Sequence, residues 1–258
     1  MQGGRHDAGT WSEIRNGVAH AACCLSATQH AYNPARRPNV AAEVRVNPRS
    51  RKLRALRWLP RRLMVTSCPS DERTLYLSFD DGPHPEHTPR LLDLLKAHDA
   101  RASFFLVGEE VEKHPHVVRR MVQEGHLIGN HSYSHPAFLK ITLAEQLAEI
   151  DRTDRILAEF DGRPRHAFRP PSGALPLPLL VHFARTGRRI VYWSYDSFDY
   201  QRVPPPEFIE RVRNAPPDTG DIVLMHDDDA SVIDSLDDLM PEWRAAGFSF
   251  KSVPAEAA

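Results

Sequence analysis

Residues 75–83 read LYLSFDDGP. Leu75, Tyr76, Leu77 and Phe79 make a short apolar, β-prone run, so the segment predicts a strand. The strand stops at two adjacent carboxylates, Asp80 and Asp81, followed by Gly82 and Pro83. Like charges side by side repel, and a strand end offers them no packing role. One ordinary reading is a turn closed by Asp side-chain bonds ahead of a glycine. The other is a site, and the ends of the remaining strands decide between the two.

Downstream, strand and helix signals alternate. Thr88 and Pro89 predict the start of a helix running to His98. Ala102–Val107 predicts a second strand, and a helix whose second half begins at Pro115 ends at Gly125. His126–Asn130 is the third strand. Thr142 and Glu145 form a capping box for a long helix ending at Gly162. Ala167–Arg169 is a short fourth strand, Ile190–Tyr195 the fifth, Ile222–Met225 the sixth and Phe248–Val253 the seventh. Helices over Pro176–Ala184, Glu207–Asn214 and Val232–Ala246 separate them. Such alternation argues for an α/β fold with a parallel sheet, either doubly wound or closed as a barrel.

Ionisable groups follow five of these strands, always at the C-terminal end. They are Asp80 and Asp81; His131 and His135 (HSYSH); Arg169 (RPPSG); Asp196 and Asp199 (DSFDY); and His226 (LMH). In parallel α/β folds active sites assemble on that edge. Asp, His and His suit Zn²⁺, with a fourth position left for water. One carboxylate of the adjacent pair then binds the cation. The other stays free as a general base for water that the metal acidifies. His226 is the acid for the leaving group, and Arg169 is placed to hold the base ionised. A fifth-strand Asp is placed to orient His226.

SFDDGP, HSYSH, RPPSG, DSFDY and LMH, in that order, resemble the five motifs of the polysaccharide deacetylase family, carbohydrate esterase family 4. The likeness spans about residues 74–253. It implies a distorted (β/α) barrel with about seven parallel strands, and metal-dependent removal of N-acetyl groups from GlcNAc-containing oligo- or polysaccharide. By the same resemblance Asp80 is the base, and Asp81, His131 and His135 hold the metal. Arg169 steers Asp80, and Asp196 tunes the acid His226. The backbone N–H of Ser172 serves the oxyanion, while Trp193 and Leu224 line the acetyl pocket. Two positions depart from the family pattern: Ser172 stands where Tyr is usual, and Tyr200 where Trp is usual. Zn²⁺ is the expected metal, with Co²⁺ or Ni²⁺ as alternatives. Alternative activities are another metal-dependent amidohydrolase, an O-acetyl esterase or a non-catalytic carbohydrate-binding protein.

The chain has 258 residues and a formal net charge of -1, so nothing global draws it to nucleic acid. Its 3 cysteines, two of them adjacent, form no disulfide framework. Residues 1–69 read as a basic, largely disordered extension, with residues 70–258 as the catalytic domain. Leu53–Val65 (LRALRWLPRRLMV) suggests weak membrane-surface contact, and a later start at Met64 is the alternative reading. No convincing export signal is present, so the expected location is the cytoplasm or its membrane face.

Overall fold

A computed structural model describes Leu56 and residues 59–254. The order is β1 (Met64–Val65), β2 (Thr74–Asp80), α1 (His87–Ala97), β3 (Ser103–Leu106), α2 (Gly108–Lys113), α3 (Pro115–Gln123) and β4 (Leu127–Asn130). There follow α4 (Leu143–Asp161), α5 (Leu177–Thr186), β5 (Ile190–Val191), β6 (Tyr195–Asp196), α6 (Pro205–Asn214), β7 (Ile222–His226), α7 (Ala230–Ala245) and β8 (Ser249–Phe250).

The strands lie parallel in the order β4-β3-β2-β7-β6, with β8 against the first residues of β2. β1 pairs in parallel with β5. Phe168 joins the two sets by bridging to Asn130 on one side and Ile190 on the other. An antiparallel bridge from Ser67 to Asp221 ties the end of β1 to the start of β7. The circuit is a distorted barrel with helices outside.

Period-two alternation sorts the strand side chains. Leu75, Leu77 and Phe79 of β2 pack with Leu91, Leu92, Leu95 and Leu236 in the layer between sheet and helices. Tyr76 joins a second cluster with Phe105, Ile222 and Leu224 on the inner side. By the same alternation Ser78 and Asp80 point inward, as Ile222, Leu224 and His226 do on β7. An inner row that begins apolar and ends ionisable fills the barrel floor and leaves the chemistry at the rim.

The long helix α4 has the expected capping box. The Thr142 hydroxyl accepts from Glu145 N–H, and the Glu145 carboxylate accepts from Thr142 N–H. It ends at Gly162, whose φ of 74° is left-handed. Three expectations need correction. Helix α1 starts at His87 with Glu86 before it, and Thr88 lies inside, because its hydroxyl binds the Asp227 carboxylate instead of capping. The fifth strand splits into β5 and β6, because the Val191 and Tyr192 carbonyls turn inward to accept from Arg169. The fourth is reduced to the bridge at Phe168.

The boundary at residue 69 also moves. Met64 and Val65 are each 2% exposed, in the barrel wall, and so are not an interfacial helix face. Cys68 N–H donates to Gly220 O. The remainder of the expected extension, apart from Leu56 and residues 59–69, lies outside the described residues. No helix among the described residues is long and apolar enough to cross a membrane.

Candidate metal centre and active site

Two neighbouring carboxylates avoid each other by pointing to different partners. Asp80 is the last residue of β2 and faces inward. Asp81 follows with φ 74°, and this left-handed turn swings its side chain away towards the loop after β4.

Asp80 is 3% exposed, and its Oδ1 accepts from Arg169 Nη1 at 2.6 Å. Arg169 is wholly buried, so each of its three nitrogens needs a partner. Nη1 also donates to Ser78 Oγ (3.0 Å), Nε to Val191 O (3.2 Å) and Nη2 to Tyr192 O (3.2 Å). The guanidinium lies 3.9 Å over the Phe105 ring. Burial lowers the Arg169 pKa, and the charge of Asp80 opposes that. The Asp80 oxygen is therefore aimed by a cation with no freedom to leave.

Asp81 Oδ1 is buried and makes no hydrogen bond among the described residues. It lies 3.4 Å from Nε2 of His131 and 3.4 Å from Nε2 of His135. Donors bound at about 2.0–2.1 Å with tetrahedral angles sit about 3.3 Å apart. An orphaned carboxylate oxygen equidistant from two imidazole nitrogens therefore fits one divalent cation. This is the one group of three such donors found among the described residues. His131 Nδ1 is 2.7 Å from Arg169 O, to which it donates, leaving Nε2 its lone pair for a metal. Burial works to raise the Asp81 pKa, but the imidazoles of His131, His135 and His226 outweigh it and hold the carboxyl at about 2.

His226 ends β7, beside Asp80 in register. Its Nδ1 donates to Asp199 Oδ1 at 2.9 Å, and its backbone N–H donates to Asp199 Oδ2 at 2.6 Å. Burial depresses the imidazolium, but Asp199, Asp80 and Asp81 prevail and raise its pKa to about 10. Asp199 therefore replaces Asp196 as the partner expected from the sequence. Asp196 Oδ1 is occupied by its own turn, accepting from Phe198 N–H at 3.0 Å. Phe198 then takes a left-handed φ of 57°, which turns Asp199 in under the imidazole. Asp196 remains in the wall of the site, its pKa raised first by burial.

A cavity of about 450 Å³ opens here, lined by Gly173 and by every expected site residue except Arg169, which sits behind Asp80. Ser172 reaches it in a left-handed turn, φ 52°. Trp193 stacks on Tyr192, with ring centroids 5.3 Å apart, and Leu224 lies nearby in the lining. Tyr200 is 51% exposed at the rim and meets the His226 ring edge-on. A second hollow of about 240 Å³ shares Asp81, Tyr200 and His226 and runs on to Arg202 and Asp228, so the cavity continues as a groove.

Sequence reading missed Asp227. It is fully buried beneath the Asp81–Pro83 turn, one residue after His226. Burial raises its carboxyl to about 7, against the bond from the Thr88 hydroxyl. A Cβ on Gly82 would fall 2.4 Å from both carboxylate oxygens, so only glycine fits there. The signal was the unbroken acidic run Asp227–Asp229, of which only Asp229 caps α7 through Ser231 N–H.

The comparisons agree with this geometry. A family model described as polysaccharide deacetylase matches residues 68–191. The peptidoglycan-N-acetylglucosamine deacetylase of Bacillus cereus is 35% identical over 203 residues, covering 77% of this chain and 73% of that protein. The peptidoglycan-N-acetylmuramic acid deacetylase PdaA of Bacillus subtilis is 32% identical over 187 residues, 70% of each. Among solved structures, the Bc1960 peptidoglycan N-acetylglucosamine deacetylase superposes with a TM-score of 0.70 at 34% identity, over 75% of this chain and 92% of that one. Sequence, barrel and rim chemistry converge, and the chain belongs to the polysaccharide deacetylase family.

Proposed function

We propose that the protein hydrolyses the N-acetyl group of glucosamine units in peptidoglycan, with Zn²⁺ held by Asp81, His131 and His135. The observation that carries this is the orphaned Asp81 oxygen between two imidazoles, with the Arg169-bound Asp80 carboxylate beside them. A cation in that position supplies Lewis acidity, polarising the acetyl carbonyl and acidifying water. Asp80 takes the proton from the attacking water, and its salt bridge to Arg169 holds the carboxylate aimed for that step. The Ser172 backbone N–H supports the carbonyl oxygen as it gains charge. His226, protonated and braced by Asp199, gives its proton to the departing amine nitrogen. Trp193 and Leu224 receive the acetyl methyl. The groove past Tyr200 gives room for the neighbouring sugar, which suits a polymer over a small free amide.

The test is acetate release from peptidoglycan fragments, chitooligosaccharides and poly-GlcNAc, with metal content measured on the same sample. Release that stops with chelator and returns best with Zn²⁺, rather than Co²⁺ or Ni²⁺, supports the reading. Release only from O-acetyl esters overturns the amide assignment. The location expected from the sequence, cytoplasm or its membrane face, suits action on a cell-wall precursor; cell fractionation decides it.

A further inference from the structure

The loop bearing His131 and His135 is strained. Ser132 and His135 hold φ of 70° and 50°, left-handed values that L-residues other than glycine adopt only when their surroundings hold them there. Something outside the loop must hold it, and helix α4 supplies two carboxylates for the purpose. Glu149 Oε2 accepts from the backbone N–H groups of Tyr133 (3.0 Å) and Ser134 (2.7 Å), between the two histidines. Asp154, one and a half turns later, accepts from Asn130 Nδ2 at 2.8 Å through Oδ1. Asn130 immediately precedes His131 and is wholly buried. Its Oδ1 accepts from Ser132 N–H at 2.9 Å, and Ser132 Oγ accepts from His135 N–H at 3.1 Å. A hydrogen-bonded path thus runs from Asp154 to the backbone of the second histidine.

The far end of the path is itself fixed. Arg188 donates to both Asp154 oxygens, at 2.6 Å and 2.9 Å, so the carboxylate has no rotational freedom. On the opposite side of the loop, Gly108 N–H donates to Ser132 O (3.0 Å) and Glu109 N–H to Tyr133 O (2.9 Å). The loop is gripped between α4 and the start of α2. Neither Glu149, Asn130 nor Asp154 lines the cavity.

We propose that Glu149 and the Asn130–Asp154 pair are positioning residues that preset the spacing of the two imidazoles and so set the affinity of the site for its divalent cation. This rests on the assignment of Asp81, His131 and His135 as metal ligands. Outer partners of ligands commonly carry about 10–100-fold in metal affinity.

Zn²⁺ and Co²⁺ affinities, measured by competition with a chromophoric chelator, test it on wild type, Glu149→Ala, Asn130→Ala and Thr142→Ala. Thr142→Ala removes the N-terminal cap of the same helix without touching the loop. The expected result is metal binding weakened about 10–100-fold in the first two variants, and unchanged in Thr142→Ala despite its lower Tm. Glu149 is only half-buried, so its variant folds and decides the matter if Asn130→Ala does not. Affinity of Glu149→Ala within about 2-fold of wild type overturns the proposal. Wild type that binds neither metal overturns the ligand assignment with it.

Discussion

Asp80 and Asp81 are covalent neighbours with opposite tasks, and the backbone separates them. Strand alternation aims Asp80 at Arg169, while the left-handed φ at Asp81 sends the next side chain to the histidines. Asp80→Asn keeps the shape and removes the base, so acetate release should fall by about 10²–10⁴-fold while metal content stays at the wild-type level. Arg169→Ala leaves Asp80 buried without its cation; denaturant titration should find a loss of about 3–5 kcal/mol. His226 gives a pH test in metal-stripped protein. Its folded pKa, about 10, lies above its ordinary value of 6.5, so its contribution to stability is complete below pH 6.5 and disappears as pH rises towards 10. Asp227 acts with the same sign in a lower window, from 3.8 to about 7. Melting curves in chelator should therefore decline from pH 6.5 to 10 in wild type, and more weakly in His226→Gln. The choice between Asp196 and Asp199 was not legible in DSFDY. Both follow the same strand, and only the φ of Phe198 determines which one reaches the imidazole.

At the level of elements, most of the barrel could be read because inward and outward residues alternate along β2 and β7. What could not be read were two-residue strands. Met64–Val65 carries no periodicity, and Arg61 and Arg62 before it look like tail sequence. The turn after β2 is tightly packed, since Gly82 lies on the Asp227 carboxylate and Val107 N–H donates to Gly82 O at 3.0 Å. Gly82→Ala should lower Tm by several degrees, because the added methyl meets a fully buried group that is tied to Thr88 and cannot retreat. Glu149 and Asp154 were likewise invisible: they are remote in sequence from the histidines they support, and α4 reads as an ordinary capped amphipathic helix, while Asn130, next to His131, reads only as the end of a strand.

For the whole molecule, the wall is continuous only with β1 in place. A chain lacking residues 1–58 keeps β1, the Ser67–Asp221 bridge and the Cys68–Gly220 bond, and should melt as a cooperative unit. A chain lacking residues 1–69 exposes the edge of β5 and the apolar surface that Met64 and Val65 cover. Calorimetry should find it far less stable or unfolded, although it retains all five motifs.

The direction of β1 has a practical corollary. It runs parallel to β5, so the polypeptide enters the wall at the rim opposite the cavity. An affinity handle or resin linkage replacing residues 1–58 would leave from that back rim, and the mouth of the groove would stay open to an insoluble sacculus.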